Sequence, residues 1–174
     1  FLMLFAISHL PCYIVYMGLI KNYDELAVTP ERKIVLDVVE AGLEAIQPEH
    51  IVHKNFSLQD NQLKIIHKTF DLNQFENIYL IGFGKGSAGI SKLIEETLGD
   101  RLTEGYCIDV REEAFSKIKF TLGTHPLPTE ANFTFTKDVT DRFSSLSEKD
   151  LVLVVICGGG SVMFARPEKI SHET

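Results

Sequence analysis

A chain of 174 residues, 45% apolar and 24% charged, is globular in composition and long enough to bury one real core, so one domain is expected. Its net charge of −7 leaves no basic stripe to displace counterions, which argues against a nucleic-acid surface but leaves room for small anions bound locally. The three cysteines, Cys12, Cys107 and Cys157, have no C-x-x-C spacing. Two of them fall in apolar, strand-like runs, which reads as reduced thiols in a cytoplasmic protein with no zinc or iron–sulfur site.

Residues 1–20 carry no charge, which raises a membrane helix or a signal peptide, yet Ser8, His9 and Pro11 interrupt the run and no basic segment precedes it. Because Met17-Gly18 opens an ordinary sequence, residues 1–16 are expected to be upstream read-through or a misassigned start, with a membrane anchor as the alternative. Thr29-Pro30-Glu31 supplies an N-cap, a first-turn proline and an early acid. Val35, Val38, Val39, Gly42 and Ile46 then recur at helical spacing, predicting a core-facing helix that stops before Pro48. The runs 51–58 and 63–69 look like two strands joined by a hairpin turn at Asp60-Asn61. His50, His53 and His67 are irregularly spaced with no carboxylate cluster beside them, so they read as surface or strand-edge histidines, not ligands.

The apolar run Ile78-Tyr79-Leu80-Ile81 leads into Gly82-Phe83-Gly84-Lys85-Gly86-Ser87-Ala88-Gly89 and then an amphipathic helix. Ile90, Leu93, Ile94 and Leu98 share one face of that helix, and Lys92, Glu95 and Glu96 the other. The unit reads as strand, glycine turn, helix. Amides at such a helix start lack intrahelical partners and carry the positive end of the dipole, so they suit an anion such as phosphate. Lys85 adds a mobile cation suited to charge developing on a transferring phosphoryl group. The same residues match G-x-G-x-x-G, with Asp109 at the end of the next strand placed to meet a ribose, so a nicotinamide site competes. A tight turn without ligand also stays open; a Walker A loop does not, for want of its motif.

Gly99 closes the helix, 105–110 makes a second strand, and Asp109, Arg111, Glu112 and Glu113 read as a solvated loop. A third strand over 117–121 ends in Gly123-Thr124-His125-Pro126-Leu127-Pro128. Its two prolines stiffen the loop and fix His125, whose role is structural or functional with equal weight. Thr129-Glu130 starts a helix with Phe135, Val139, Phe143 and Leu146 as its buried stripe and Lys137, Asp138 and Arg142 exposed. The apolar run 151–157 predicts a strand buried on both faces, at the centre of the sheet. It delivers Gly158-Gly159-Gly160-Ser161, read as a second anion nest at the same sheet edge, against the alternative of a sharp crossover.

Taken together and in this order, the Gly84-Lys85-Gly86-Ser87-Ala88 turn, the Gly123 to Pro128 loop and the 150–161 strand and glycine run resemble the N-terminal domain of the glycerate 2-kinase family, some members of which have been labelled hydroxypyruvate reductases. The resemblance covers the chain from about Thr29 onward. It implies an α/β, Rossmann-like, open and mostly parallel sheet with helices on both faces, incomplete at the C-terminus, and ATP-dependent phosphorylation of D-glycerate to 2-phosphoglycerate with Mg2+. The family's lysine falls on Lys85, the catalytic residue this implies, and its triple-glycine loop on Gly158, Gly159, Gly160 and Ser161. Gly84, Gly86, Ser87 and His125 complete the expected substrate- and phosphate-binding set, and no metal-ligating residue is assigned.

Two departures are small: Gly86-Ser87 and Val162-Met163 stand where the family has alanines and Ala-Leu. The larger one is the stop at Thr174, which reads as leaving out the rest of this domain and a second domain, with Arg166-Pro167-Glu168 the start of a connection that goes nowhere. Residues 17–174 are thus expected to be part of the kinase's first domain, a fragment inactive alone. Its partners would be glycerate and the missing C-terminal domain, with a homodimer as a further option and neither nucleic acid nor membrane expected. A nicotinamide-dependent hydroxypyruvate reductase and a phosphosugar-binding module are the alternatives, and Lys85→Met separates them from a kinase.

Overall fold

The computed structural model describes residues 18–167. The chain parts into two compact units between Ile46 and Gln47.

In the first unit a short helix α1, Tyr23–Leu26, precedes the helix α2, Pro30–Ala45. The predicted start of α2 is present: the Thr29 hydroxyl accepts from the Arg32 amide at 3.3 Å and Pro30 opens the first turn. The stripe predicted to face a core does not do so. Val35, Val38, Val39 and Ile46 are exposed, and it is Glu40 that is buried, accepting from the Leu19 amide and, at 3.0 Å, from that of Ile20. Helical periodicity states which residues share a face; it does not name what covers that face.

The second unit opens with α3, Pro48–Asn55, where the sequence pattern suggested a strand. Pro48 and Glu49 favour a helix start, and His53 and Lys54 complement the dipole at its end. These end effects prevail over the β-branched pair Ile51-Val52, of which Val52 packs into the core. Strands β1, Phe56–Gln59, β2, Gln62–Ile65, and β3, Lys68–Asp71, form an antiparallel sheet. Asp60 and Asn61 both take positive φ, 49° and 62°, as a two-residue hairpin turn requires. The run 63–69 divides into two strands because Ile66 also turns, at φ 55°.

The main layer follows: β4, Asn77–Phe83; α4, Ser87–Leu98; β5, Glu104–Asp109; β6, Ile118–Leu122; α5, Glu130–Arg142; β7, Asp150–Ile156; and α6, Gly160–Met163. The four strands are parallel in the order β6-β5-β4-β7. Ile78 and Leu80 meet Ile94 and Leu98 of α4 on one face, and Ile81 and Ile108 meet Phe135 and Val139 of α5 on the other. Helices thus cover both faces of an α/β sheet. The central strand is β4, with five consecutive buried residues. β7, predicted for the centre, is an outer strand among the described residues, with Val154 and Ile156 exposed. Strand order reverses between β4 and β7, and the carboxyl ends of these two strands carry the two glycine turns.

Two side chains depart from their sequence pattern. Glu95, placed on the polar face of α4, is buried, and its carboxylate accepts from the amides of Ser116, Lys117 and Ile118. Leu146, predicted to extend the stripe of α5, lies past the end of that helix and is exposed.

Candidate functional site

Beyond β4 the chain turns on Gly84, whose φ of +107° suits glycine. A Cβ there would stand 2.4 Å from the Cys157 carbonyl oxygen, so only glycine lets the two turns close on each other. They are joined by hydrogen bonds: the Cys157 amide donates to the Phe83 carbonyl at 2.9 Å and the Lys85 amide to the Gly158 carbonyl at 2.7 Å.

The anion position at the start of α4 is filled from within the chain. Asp109 Oδ2 accepts from the Gly86 amide at 2.8 Å and the Ala88 amide at 2.9 Å, while Oδ1 accepts from Val110 at 2.6 Å. The Ser87 amide donates to Gly84 at 3.1 Å, and its buried hydroxyl donates to the Ile108 carbonyl at 3.1 Å. The cradle read from Gly84, Gly86 and Ser87 therefore holds a carboxylate. Asp109 is 1% exposed, with both oxygens engaged, so it does not reach a ribose as a nicotinamide site requires.

Lys85 itself is exposed, and its ammonium makes no hydrogen bond or ion pair among the described residues. It is a free cation at the junction of the two turns. On the other side of that junction Gly159 takes φ +80°. The Gly160 amide is tied to Cys157 at 3.2 Å, whereas the amides of Gly159 and Ser161 and the Ser161 hydroxyl have no partner among the described residues. Unpartnered donors beside a free lysine make a local field suited to an anion.

His125 comes to the same place from the loop after β6. Its ring lies 2.6 Å from where a Cβ of Gly159 would be. The loop is held from below by Asn132, fully buried on α5: Oδ1 accepts from the Thr124 amide at 3.2 Å and Nδ2 donates to the Thr124 carbonyl at 3.2 Å. The Thr124 hydroxyl donates to Leu127 at 2.7 Å, and the His125-Pro126 peptide is cis. The three motifs thus share one sheet edge. Asn132 and the anchoring role of Asp109 went unread in the sequence, although Asn132 sits three residues after Thr129, the place of a capping-box partner.

The two thiols nearby are both shifted toward their protonated form. Burial pushes Cys107 up to about 11 and raises Cys157 as well, with the Asp109 charge adding to both. Among the described residues no three His, Cys, Asp or Glu side chains gather as a metal cage, and no helix is long and apolar enough to cross a membrane.

The sequence profile of the family described as Domain of unknown function (DUF4147) matches residues 34–174, most of the chain. The chain belongs to the DUF4147 family. This DUF4147 chain is 31% identical over 156 residues to a glycerate 2-kinase of Picrophilus torridus, covering 86% of the chain and 34% of the relative. It is 30% identical over 146 residues to a glycerate kinase of Danio rerio, covering 75% of the chain and 29% of the relative. The crystal structure of the PH0495 protein from Pyrococcus horikoshii OT3 superposes with a TM-score of 0.72 at 26% identity, over 83% of this chain and 33% of that one. The DUF4147 chain therefore spans about a third of the length of the curated relatives it matches. The resemblance drawn from the three motifs is borne out by these relatives.

Proposed function

We propose that this chain supplies the α/β part of an enzyme that phosphorylates D-glycerate to 2-phosphoglycerate. The observation that carries the reading is the convergence at one sheet edge of Lys85, the Gly159 and Ser161 amides, all without partners among the described residues, and His125. Relatives named glycerate kinase lend it further support. ATP would supply the phosphoryl group, and Mg2+ would offset the charge on its phosphates. Lys85 neutralises charge developing on the group in transfer. Gly158, Gly159, Gly160 and Ser161 hold the anionic end of a ligand through backbone donors and the serine hydroxyl. Gly84, Gly86 and Ser87 frame the lysine, and His125 lines the wall above Gly159. Cys107 and Cys157 are free thiols among the described residues, and a reducing, cytoplasmic setting suits them.

The partners we propose are glycerate and the remaining two-thirds of a kinase-length polypeptide, without which the 174-residue chain is inactive. The test is to express the polypeptide that the complete gene encodes and to assay D-glycerate with Mg-ATP for ADP and for the phosphoglycerate isomer. Formation of 2-phosphoglycerate that is lost in Lys85→Met supports the reading. Hydroxypyruvate-dependent oxidation of NADH without ADP would overturn it in favour of the reductase. Anion binding indifferent to Lys85→Met would favour a phosphosugar module.

A further inference from the structure

Asp109 ends β5 fully enclosed, 1% exposed, and no cation pairs with it among the described residues. A buried carboxylate is tolerated only when hydrogen bonds replace its water. Here three amides do so, and two of them, Gly86 and Ala88, stand at the start of α4, where the dipole favours negative charge. Gly86 directly follows Lys85, and the Lys85 amide is tied at 2.7 Å to the Gly158 carbonyl. The backbone of Lys85 is therefore clamped on both sides while its side chain has no partner among the described residues. That is the arrangement a positioned cation needs, because a charge acting on a transition state is effective only where it is held in place beforehand.

We propose that Asp109 is the positioning residue for Lys85. It occupies at the start of α4 the place that a ligand anion takes in other glycine-turn folds, and so commits the first turn to presenting the lysine instead of binding phosphate. The proposal rests on the kinase reading for the role of Lys85. A ligand phosphate at the first turn would have to displace a buried, triply bonded carboxylate, so it is left to the Lys85 ammonium and the second turn.

The test has two arms. In the full-length protein, Asp109→Asn is expected to lower kcat roughly 10- to 100-fold. The KM for ATP should shift by less than about threefold, as befits an interaction made in the transition state. In a Lys85→Met background the same change should lower kcat no further, since the two residues act as one unit. Equal losses in both backgrounds would overturn the proposal and leave Asp109 a structural residue. The second arm needs neither a variant nor kinase activity: inorganic phosphate is titrated into the wild-type chain and amide NMR shifts are followed. Gly86 and Ala88 are expected to stay unmoved, and saturable shifts at these two amides would show phosphate taking the place of Asp109. Should the full-length protein lack glycerate kinase activity, the kinase reading fails while the titration still decides what fills the first turn.

Discussion

The imidazole of His125 lies against the α-carbon of Gly159, so close that a Cβ there would meet Cδ2 at 2.6 Å and Nε2 at 2.9 Å. The backbone of Gly159 also takes φ +80°, where an L side chain is strained. Gly159→Ala is accordingly expected to lose roughly 1–2 kcal/mol of stability in urea denaturation. In the full-length protein it should also lower kcat/KM by displacing His125. A variant with wild-type stability and activity would mean that the His125 loop yields without consequence.

Gly84→Ala should be more severe. The obstructing atom is backbone, the Cys157 carbonyl oxygen, and it has no rotamer by which to move aside. Strain at φ +107° and overpacking together predict a loss of about 3 kcal/mol. Hydrogen exchange at the Lys85 amide should report it directly, because separating the turns breaks its bond to Gly158.

Lys85→Met separates function from stability. The lysine is exposed and unpaired among the described residues, so the unfolding free energy should change by less than about 0.5 kcal/mol. Phosphoryl transfer by the full-length protein should fall by a factor on the order of 100 to 1,000, comparable to removal of a single transition-state donor. Coupled ADP detection measures it; retained turnover would transfer the charge-neutralising role elsewhere.

Glu95 predicts the acid limb of the stability curve. Burial works against its ionisation, but the amides of Lys117 and Ser116 and the Lys92 ammonium outweigh burial and hold its carboxyl below the usual range. A carboxyl depressed in the folded state stabilises fully above its unfolded pKa, about 4.3, and that stabilisation is lost as pH falls through the folded value. Glu95→Gln should flatten the pH dependence of stability below about pH 4.3. Glu95→Ala, which strands the loop amides, should cost about 3 kcal/mol at neutral pH. Urea titrations across pH check both.

Cys107 should resist alkylation. Its thiol is buried, and a pKa pushed up to about 11 leaves almost no thiolate at neutral pH. Iodoacetamide at about neutral pH is expected to leave Cys107 unlabelled in the native chain and to label it in urea, as read by peptide mass spectrometry. Rapid native labelling would show that α4 and β5 open readily.

Features carried by neighbouring residues were legible in the sequence. Asp60-Asn61 marks a hairpin, Thr29-Pro30 a helix start, and the alternation of apolar runs with amphipathic segments an α/β sheet with two glycine turns. Each of these depends on backbone preferences and side-chain periods that span a few positions. Other features were decided only by the tertiary structure. Glu95 is buried because it meets amides 21 to 23 positions along the chain, and Asp109 fills the first turn from 23 positions after Gly86. The apolar run of β7 told that the strand favours burial, but its outer place follows from pairing with β4 alone among the described residues. The site is of the same kind. Lys85, His125 and Gly159 were each visible as motifs, but their meeting depends on parallel pairing and crossovers, which bring the ends of distant strands together through contacts that no local pattern encodes.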